Sequence, residues 1–506
     1  MVMERHPRRW LILVVLCLST LVLVIDNMVL TVAIPSIAED LGATSQDIQW
    51  IIDSYILVFA GLLLTAGSLS DKYGRRKVMV VGLVVFGAAS VVATCATSPE
   101  QLILGRVLMG VGGALVMPST LSILITVFDE EERPKAIAAW STVAMVGLVG
   151  GPVLGGALLD RFDWGAVFLI NVPIALLAIV AALVLMPESK GPWRKADPVG
   201  MVLSMAGMTA LVWTIIELPH GGLDHTGTRI SLAITLLGLI GFGVWETRGT
   251  DSPMVPLSLF RNRTFTGASL SLVLLTFANG GLMLVLTQYL QFVLGYTPTE
   301  TGLAFTPMAL AVIVFNAVGA SLLARTGNRA LAVIGLLVIA GGFALLASLS
   351  AGDGRGLLAT AMVLLGAGSG LAMPAAISAL MGAVPTEHAG VGSALNDTIQ
   401  QAGAALGVAI LGAVLSSTYT DGMAKAPEEA RHSISDALAL QDGPVAELAR
   451  SAFTEAMSTS FWAGAAGVIA AAVLATVFMG GRKQEAVPAG GAAAEGAEKG
   501  ENTLVG

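Results

Sequence analysis

The sequence has little charge: only 12% of its 506 residues are Asp, Glu, Lys or Arg, against about 25% in a typical soluble domain. Apolar residues make up 55% of the chain, and the mean hydropathy is +0.81. A water-soluble globule needs a polar coat, which this composition does not supply. The scarcity of charge therefore excludes a soluble protein and predicts that most of the surface faces lipid.

Cysteine is also scarce, and both thiols, Cys17 and Cys95, fall within apolar runs. Two isolated cysteines exclude a disulfide framework and a cysteine metal cluster, so we expect small packing residues. The sequence contains no G-x-x-x-x-G-K-[ST] phosphate loop and no aromatic–basic block, so neither ATP nor nucleic acid is an expected partner. Its five histidines lie in loops or tails. We therefore predict no enzyme, no metal site and no cofactor.

Long apolar runs are what the sequence does contain. A helix needs roughly twenty mostly apolar residues to cross about 30 Å of hydrocarbon. The predicted spans are 10–34, 49–69, 78–97, 102–127, 136–159, 167–186, 198–218, 230–246, 266–290, 301–323, 330–350, 357–383, 391–416 and 459–479. The predicted fold class is thus an all-α membrane protein with fourteen transmembrane helices.

Lys and Arg are unevenly distributed among the segments that connect the spans. With the N-terminus inside, the inner segments hold 20 of the 27 Lys and Arg residues and the outer segments hold six, while Arg106 lies within a span. Cytoplasmic loops carry the excess of positive charge, so both termini are predicted to be cytoplasmic. The tail 481–506 is poor in apolar bulk, and we expect it to be disordered.

A segment of the fourth span recurs in the twelfth. Residues 107–118 read VLMGVGGALVMP and residues 363–374 read VLLGAGSGLAMP, an offset of 256 without a gap. Both would be the fourth span of a six-span unit, so spans 1–6 and 9–14 are predicted to be parallel repeats, with a transport path between them. The predicted units are a cytoplasmic N-terminus 1–9, a six-helix bundle 10–186, two inserted helices with linkers 187–265, a second six-helix bundle 266–480 that includes an outer loop 418–458, and the tail 481–506.

The loop after the second span reads GSLSDKYGRRK, residues 67–77. It resembles the signature loop of the major facilitator superfamily, G-x-L-x-D-x-x-G-R-[RK], which implies two six-helix bundles and transport by alternating access. Glycine permits a tight reversal, and the charged residues can form charge-assisted bonds to helix ends that break when the inner side opens. The predicted cytoplasmic latch consists of Gly67, Asp71, Gly74, Arg75 and Arg76. The equivalent loop of the second half, 319–329, lacks the Asp.

Span 5 contains GLVGGPVLGG, residues 147–156, which resembles the antiporter motif of drug exporters in this superfamily. Gly147, Gly151 and Gly155 recur every four residues and share a helix face that a neighbouring helix can approach closely. Pro152 bends the helix beside them. The motif residues are Gly147, Gly151, Pro152, Gly155 and Gly156. Tight packing without directional meaning is the alternative, but the motif favours an exporter.

Four further segments resemble the fourteen-span drug:proton antiporter family, in particular its quaternary-ammonium efflux branch. They are VIDNMVLTVAIP (24–35), QWIIDSY (49–55), FDWGAVFLINVP (162–173) and LNDTIQQAGAALG (395–407). The resemblance implies proton-coupled efflux of lipophilic, cationic drugs or toxic compounds across the bacterial cytoplasmic membrane. The alternative is a dedicated exporter of one antibiotic or other secondary metabolite. The expected partners are the small-molecule substrate, protons and the lipid bilayer, and we expect the protein to function as a monomer.

Three charged residues lie inside predicted spans of the first half. Asp26 is about 12 Å from the outer end of span 1, at 1.5 Å per residue, and Asp53 and Arg106 are each about one turn deep. A charge at such depth costs several kcal/mol unless it is paired or hydrated. We expect Asp26 to carry a proton or cation, Asp53 to bind a cation or a second proton, and Arg106 to bias their protonation. The alternatives are a helix–helix hydrogen bond for Asp26, a helix N-cap for Asp53 and snorkelling to the headgroups for Arg106.

Other polar and aromatic residues are candidates for a substrate path. Aromatic faces stabilise lipophilic cations, although lipid-facing or packed positions are the alternative. The path candidates are Trp50, Tyr55, Asn279, Gln288, Phe305, Asp397 and Gln400. In the outer loop, apolar residues at helical spacing flank the Asp-Gly-Pro break at 442–444, which predicts a short helical hairpin over the outer opening.

Overall fold

The structure, a computed structural model, describes residues 7–191, 197–221, 225–250, 253, 255–349, 355–431 and 433–479. Within these residues the chain forms helices and no strand. Thirteen helices are long and apolar enough to cross a membrane. Helix Arg133–Leu159 lies between the fourth and fifth of them along the chain, and with it the fourteen predicted spans are accounted for. The predicted all-α membrane fold is confirmed; the predicted disordered tail 481–506 lies outside the described residues.

The helices follow the predicted spans in order. Spans 1 to 5 are Arg9–Leu41, Ser45–Tyr73, Arg75–Thr94, Pro99–Val127 and Arg133–Leu159. Span 6 consists of two pieces, Ala166–Leu169 and Asn171–Leu185, and span 7 is Pro198–Gly221. Spans 8 to 14 are Thr226–Val244, Arg263–Gln288, Pro298–Ala304 with the first part of Thr306–Ala347, the second part of that helix, Arg355–Gly382, Ala389–Gly422 and Gly443–Phe478. Gly327, with φ 80°, separates spans 10 and 11; glycine adopts this left-handed backbone at little cost.

The repeated segments of spans 4 and 12 pack in the same way. Gly110 lies against the backbone of Tyr55 in span 2, where an added Cβ would be 2.9 Å from the carbonyl oxygen. Its repeat, Gly366, lies against the backbone of Met308 in span 10. The glycines two residues further along each segment likewise approach spans 3 and 11. These matched contacts support the predicted parallel repeat, because each half places its fourth helix against its second and third.

The two halves meet along two seams. Span 2 packs against span 13, and span 5 packs against the helix Thr306–Ala347 that contains span 10. Spans 7 and 8 pack against each other, and span 7 also contacts spans 2 and 13. The inserted pair therefore lies beside one of the two seams. We call the end of the bundle that carries residues 67–77 the latch end.

The predicted outer loop 418–458 is more helical than expected. A short helix, Ile434–Ala439, precedes the break, and the helix after the break is continuous with span 14. The resulting helix Gly443–Phe478 has 36 residues, about 54 Å at 1.5 Å per residue, so it is longer than the hydrocarbon is thick. It continues because buried apolar residues such as Ala449 and Phe453 maintain the helical spacing beyond the predicted boundary. The hairpin prediction was therefore right in its helices and wrong in separating the second one from span 14.

Candidate functional site

A buried ion pair lies inside the first half. The guanidinium of Arg106 donates from Nη1 to Oδ2 of Asp26 at 2.5 Å, and neither side chain has any exposed surface. Nη2 donates to Oδ1 of Asn27 at 3.2 Å, and Nε donates to the carbonyl of Ile51 at 3.2 Å. The guanidinium carbon lies 4.4 Å from the centre of the Tyr55 ring. Arg106 therefore does not snorkel to headgroups, because every nitrogen of its guanidinium bonds within the protein.

The second oxygen of Asp26 is held from span 6. Nδ2 of Asn171 donates to Oδ1 of Asp26 at 2.7 Å and also lies 3.3 Å from Oγ of Ser90 in span 3. Asn171 is the first residue of the longer helical piece of span 6, directly after the break that follows Ala166–Leu169. Asp26 of span 1 is thus bonded to spans 4 and 6 at once.

Asp53 is partly exposed, in contrast to the two charges of the buried pair. It lies on span 2 between Ile51, whose carbonyl accepts from Arg106, and Tyr55, whose ring lies beside that guanidinium. The structure therefore joins Asp26 and Arg106 directly and places Asp53 on the adjoining stretch of span 2. Its predicted role in cation or proton binding stays a prediction.

The aromatic path candidates have different surroundings. Tyr55 is buried beside Arg106 and stacks on Phe59 with 5.7 Å between ring centres, so it belongs to the ion-pair site. Trp50 lies 4.9 Å from the ring of Trp213 in span 7, so it packs the first half against the inserted pair. Phe305 is buried at the break between the two helical pieces of span 10.

Among the polar path candidates, Asp397 is the buried carboxylate. Asn396 donates to its Oδ1 at 3.0 Å, while its Oδ2 has no hydrogen-bond partner among the described residues. Asn279, Gln288 and Gln400 are partly exposed. Asp397 therefore offers an open acceptor oxygen inside the second half, where a buried polar atom without a partner is costly.

The predicted latch joins the two halves at the latch end. The carboxylate of Asp71 accepts from the backbone N–H groups of Gly390 and Val391 at 3.0 and 3.1 Å. These groups belong to the first turn of span 13, where backbone N–H groups and the helix dipole favour an anion. Arg75 donates from Nη2 to Asp71 at 2.7 Å and to the carbonyl of Thr386 at 3.0 Å. One carboxylate and one guanidinium therefore connect spans 2 and 3 to the beginning of span 13.

The other latch residues support this contact. Gly67 packs directly on Ala394, and Gly74 has φ 118° at the reversal between spans 2 and 3. The backbone N–H of Arg76 donates to Glu188 at 3.1 Å, and the side chains of these two residues form an ion pair at 3.8 Å. The sequence motif did not indicate Glu188, which lies more than a hundred residues away.

The second seam has a polar contact that the sequence motifs did not predict. Asn316 of span 10 is buried and donates from Nδ2 to Oγ1 of Thr142 at 2.8 Å and to the carbonyl of Ala138 at 3.5 Å. Span 5 begins at Arg133, so this contact lies near the latch end. Although the second-half loop lacks an Asp, an amide joins the halves on this side.

The glycine face of span 5 packs on span 1. An added Cβ at Gly147, Gly151 or Gly155 would meet the side chain of Val24, Met28 or Val29, respectively. These three residues surround Asp26 in the sequence. At Gly156 nothing lies within 4 Å of the added Cβ, so this glycine is not part of the face; Pro152 lies within the helix, and its side chain is outside the described part of the chain. The motif thus sets the distance between span 5 and the segment of span 1 that carries the buried carboxylate.

The amides that complete the ion-pair site were not identified from the sequence. Asn27 and Asn171 both lie in segments that carried the family resemblance, 24–35 and 162–173. The available signal was the rarity of an amide inside an otherwise apolar span, since such a group needs a partner there. No group of three or more His, Cys, Asp or Glu side chains in the described residues could hold a metal ion.

Comparison with known proteins identifies relatives along nearly the whole chain. The model of the Major Facilitator Superfamily matches residues 16–408. The chain is 32% identical over 490 residues to the tetracenomycin C resistance and export protein of Streptomyces glaucescens, covering 92% of this chain and 91% of that protein. It is 34% identical over 487 residues to the multidrug efflux pump LfrA of Mycolicibacterium smegmatis, covering 94% and 95%.

A solved structure shows the same fold. The human organic anion transporter MFSD10 superposes with a TM-score of 0.64 at 15% identity, covering 93% of this chain and all of that one. At this low identity the likeness concerns the arrangement of the helices.

Proposed function

The chain belongs to the major facilitator superfamily of membrane transporters, and we propose that it is a proton-coupled exporter of lipophilic, cationic drugs or toxic compounds. The observation that supports proton coupling is the buried ion pair of Asp26 and Arg106. An ionisable carboxylate inside a span is expected to serve transport, because its burial is costly and a hydrophobic residue would pack as well. Relatives named as export and efflux proteins support the direction of transport.

Proton binding to Asp26 has a mechanical consequence. The carboxylate bonds to Arg106 of span 4 and Asn171 of span 6. Protonation neutralises the charge that attracts the guanidinium, so the contact between spans 1 and 4 weakens. The glycine face of span 5 lies against the same part of span 1, so span 1 can shift along a smooth surface. If the halves separate at the latch end, the bonds of Asp71 to span 13 must break.

The second half supplies acceptors suited to a cation. Asp397 of span 13 has a carboxylate oxygen without a hydrogen-bond partner among the described residues, and the buried amide oxygen of Asn279 on span 9 likewise has none there. Gln400 of span 13 is partly exposed. The second candidate function is dedicated export of one antibiotic or other secondary metabolite. The relative named for tetracenomycin C favours it, whereas the relative named as a multidrug pump favours broad specificity.

We propose that the protein lies in the bacterial cytoplasmic membrane with the latch end facing the cytoplasm. The distribution of 20 Lys and Arg on that side against six on the other supports this orientation. A reporter fused after Lys77 is therefore expected to be active only in the cytoplasm, and one fused within residues 425–450 only outside. The opposite result at either position would contradict the fourteen-span topology.

Efflux is expected to depend on the proton gradient and not on ATP. In cells, a protonophore should abolish export of a quaternary ammonium dye, while ATP depletion with the gradient maintained should leave it intact. The membrane potential provides about 2.3 kcal/mol per charge per 100 mV, and each 1.4 kcal/mol sustains about a tenfold concentration gradient. Exchange of one proton for one monovalent cation is electroneutral, so it would use the pH difference alone.

A susceptibility panel separates the two candidate functions. Expressing cells are compared with non-expressing cells against quaternary ammonium compounds, cationic dyes and uncharged antibiotics. Protection against many cations supports the multidrug function, and protection against a single compound supports the dedicated exporter. Efflux that requires ATP but not the gradient would contradict both.

A further inference from the structure

We propose that Asn171 is a positioning residue for Asp26. Its side-chain amide rotates when Asp26 takes up a proton, so that the amide oxygen and nitrogen exchange places. This inference rests on the proposed proton coupling. It assigns to span 6 the group that accommodates the neutral acid, so that Arg106 keeps its contact with Asp26 in both protonation states.

Both oxygens of the Asp26 carboxylate face donors. Oδ2 accepts from Arg106 and Oδ1 accepts from Nδ2 of Asn171 at 2.7 Å. This arrangement suits the ionised carboxylate, which only accepts hydrogen bonds. A protonated acid has an O–H that needs an acceptor, and in the observed arrangement neither oxygen has one. Proton uptake therefore requires one of the two donors to change.

Ser90 determines which way the amide points. The hydroxyl of Ser90 donates to the carbonyl of Phe86 at 2.9 Å, so toward Asn171 it can only accept. Nδ2 of Asn171, at 3.3 Å, is the donor that fits. The amide nitrogen is thereby directed toward both Ser90 and Asp26, and the amide oxygen points away from them.

The amide oxygen is the acceptor that the neutral acid lacks. Asn171 is fully buried, and its Oδ1 has no hydrogen-bond partner among the described residues. Rotation of the amide brings Oδ1 to the position of Nδ2, where it can accept from a proton on Oδ1 of Asp26. Arg106 cannot make this exchange, because guanidinium has donors only. Asn171 is therefore the partner that can serve both protonation states.

The rotation also connects the proton to a neighbouring helix. When Nδ2 turns away from Asp26, it leaves Ser90, so the bond between spans 6 and 3 is lost. The ionisable groups that interact with Asp26 are Arg106 of span 4 and the phenol of Tyr55 in span 2. Spans 3 and 6 contribute the neutral Ser90 and Asn171, and span 5 contributes its glycine face. The side-chain amide of Asn171 is the neutral group that bonds to the Asp26 carboxylate, and it has both a donor and an acceptor.

The test is Asn171→Leu, which keeps a similar volume and removes both the donor and the acceptor. Proton release from purified protein on addition of a quaternary ammonium dye is measured across pH. Asn171→Leu removes the hydrogen bond to the ionised carboxylate and the weaker one from the neutral acid, so the pH midpoint of release is expected to move up by about one unit. Infrared difference spectra should show the protonated carboxyl band of Asp26 shifted, because its O–H has lost an acceptor.

Two further variants make the result decisive. Ser90→Ala leaves the amide in place and removes only the group that orients it, so a smaller shift in the same direction is expected. Thr214→Val removes a buried hydrogen bond to Ser231 in the inserted helices and is expected to leave the midpoint unchanged. If wild-type protein releases protons and folded Asn171→Leu keeps both midpoint and carboxyl band, the inference is wrong. If wild-type protein releases no protons on binding substrate, the proposed coupling itself fails.

Discussion

Asp26→Asn is expected to reduce resistance to the level of cells without the protein, because the amide cannot ionise. The same change leaves the buried guanidinium of Arg106 without its counter-charge. Breaking a buried pair in this way typically costs about 3–5 kcal/mol, so we also expect a lower melting temperature and less protein in the membrane. Resistance, expression level and melting temperature must therefore be measured together.

The double variant Asp26→Asn/Arg106→Gln separates transport from stability. It removes both charges of the pair, so the melting temperature is expected to recover toward that of the wild type. Export and substrate-induced proton release should remain absent, because the ionisable carboxylate is still missing. Asp26→Glu, which keeps an ionisable group displaced by one methylene, should retain part of both activities. Full export by the double variant would show that Asp26 is only a packing partner and would move the proton to Asp53 or Asp397.

Gly151→Ala is expected to lose most export, although it adds a single methyl group. The new Cβ would clash with the Cβ of Met28 in span 1, so spans 1 and 5 must move apart near Asp26. Overpacking of this kind typically costs about 1–3 kcal/mol, which corresponds to roughly five- to 150-fold in an equilibrium between two states. Initial rates of dye efflux at matched expression levels measure the effect.

Gly156→Ala is the matched control, because it makes the same change in the same motif where no atom lies within 4 Å. It should export at nearly the wild-type rate. Since the clash at Gly151 involves a Cβ atom, Met28→Gly should restore export to Gly151→Ala, whereas Met28→Ala should not. Equal rates for Gly151→Ala and Gly156→Ala would mean that the close approach of spans 1 and 5 does not matter for transport.

The fold was predictable because the membrane imposes its requirement locally. Each span must form its backbone hydrogen bonds within one helix and present apolar side chains over about twenty residues. Span 12, for example, can therefore be recognised without knowledge of its neighbours. The exception was the outer part of span 14. There the apolar pattern continues beyond the predicted span because Phe453 is buried by other parts of the protein, and hydropathy alone placed the start of the helix too late along the chain.

The chemistry of single positions was also determined by the sequence. A carboxylate at Asp26, a guanidinium at Arg106 and an acidic residue within the motif 67–77 at Asp71 are each unusual for their location, and each therefore indicated a function. What they bond to depended on the tertiary structure. Asn171 lies 145 residues from Asp26, and Gly390 lies 319 residues from Asp71.

The physical reason lies in the environment of a helix in lipid. Hydrophobicity specifies that a segment spans the membrane, but lipid and protein interior are similarly apolar, so it does not specify which face meets which neighbour. Small residues and paired polar groups determine which faces meet, and they do so through contacts that form only when the helices pack. The sequence by itself therefore determined the spans, the repeat and the charged residues. Only the tertiary structure decided that Asn171 bonds to Asp26, that Asp71 bonds to the first turn of span 13, and that Asn316 joins the two halves at the second seam.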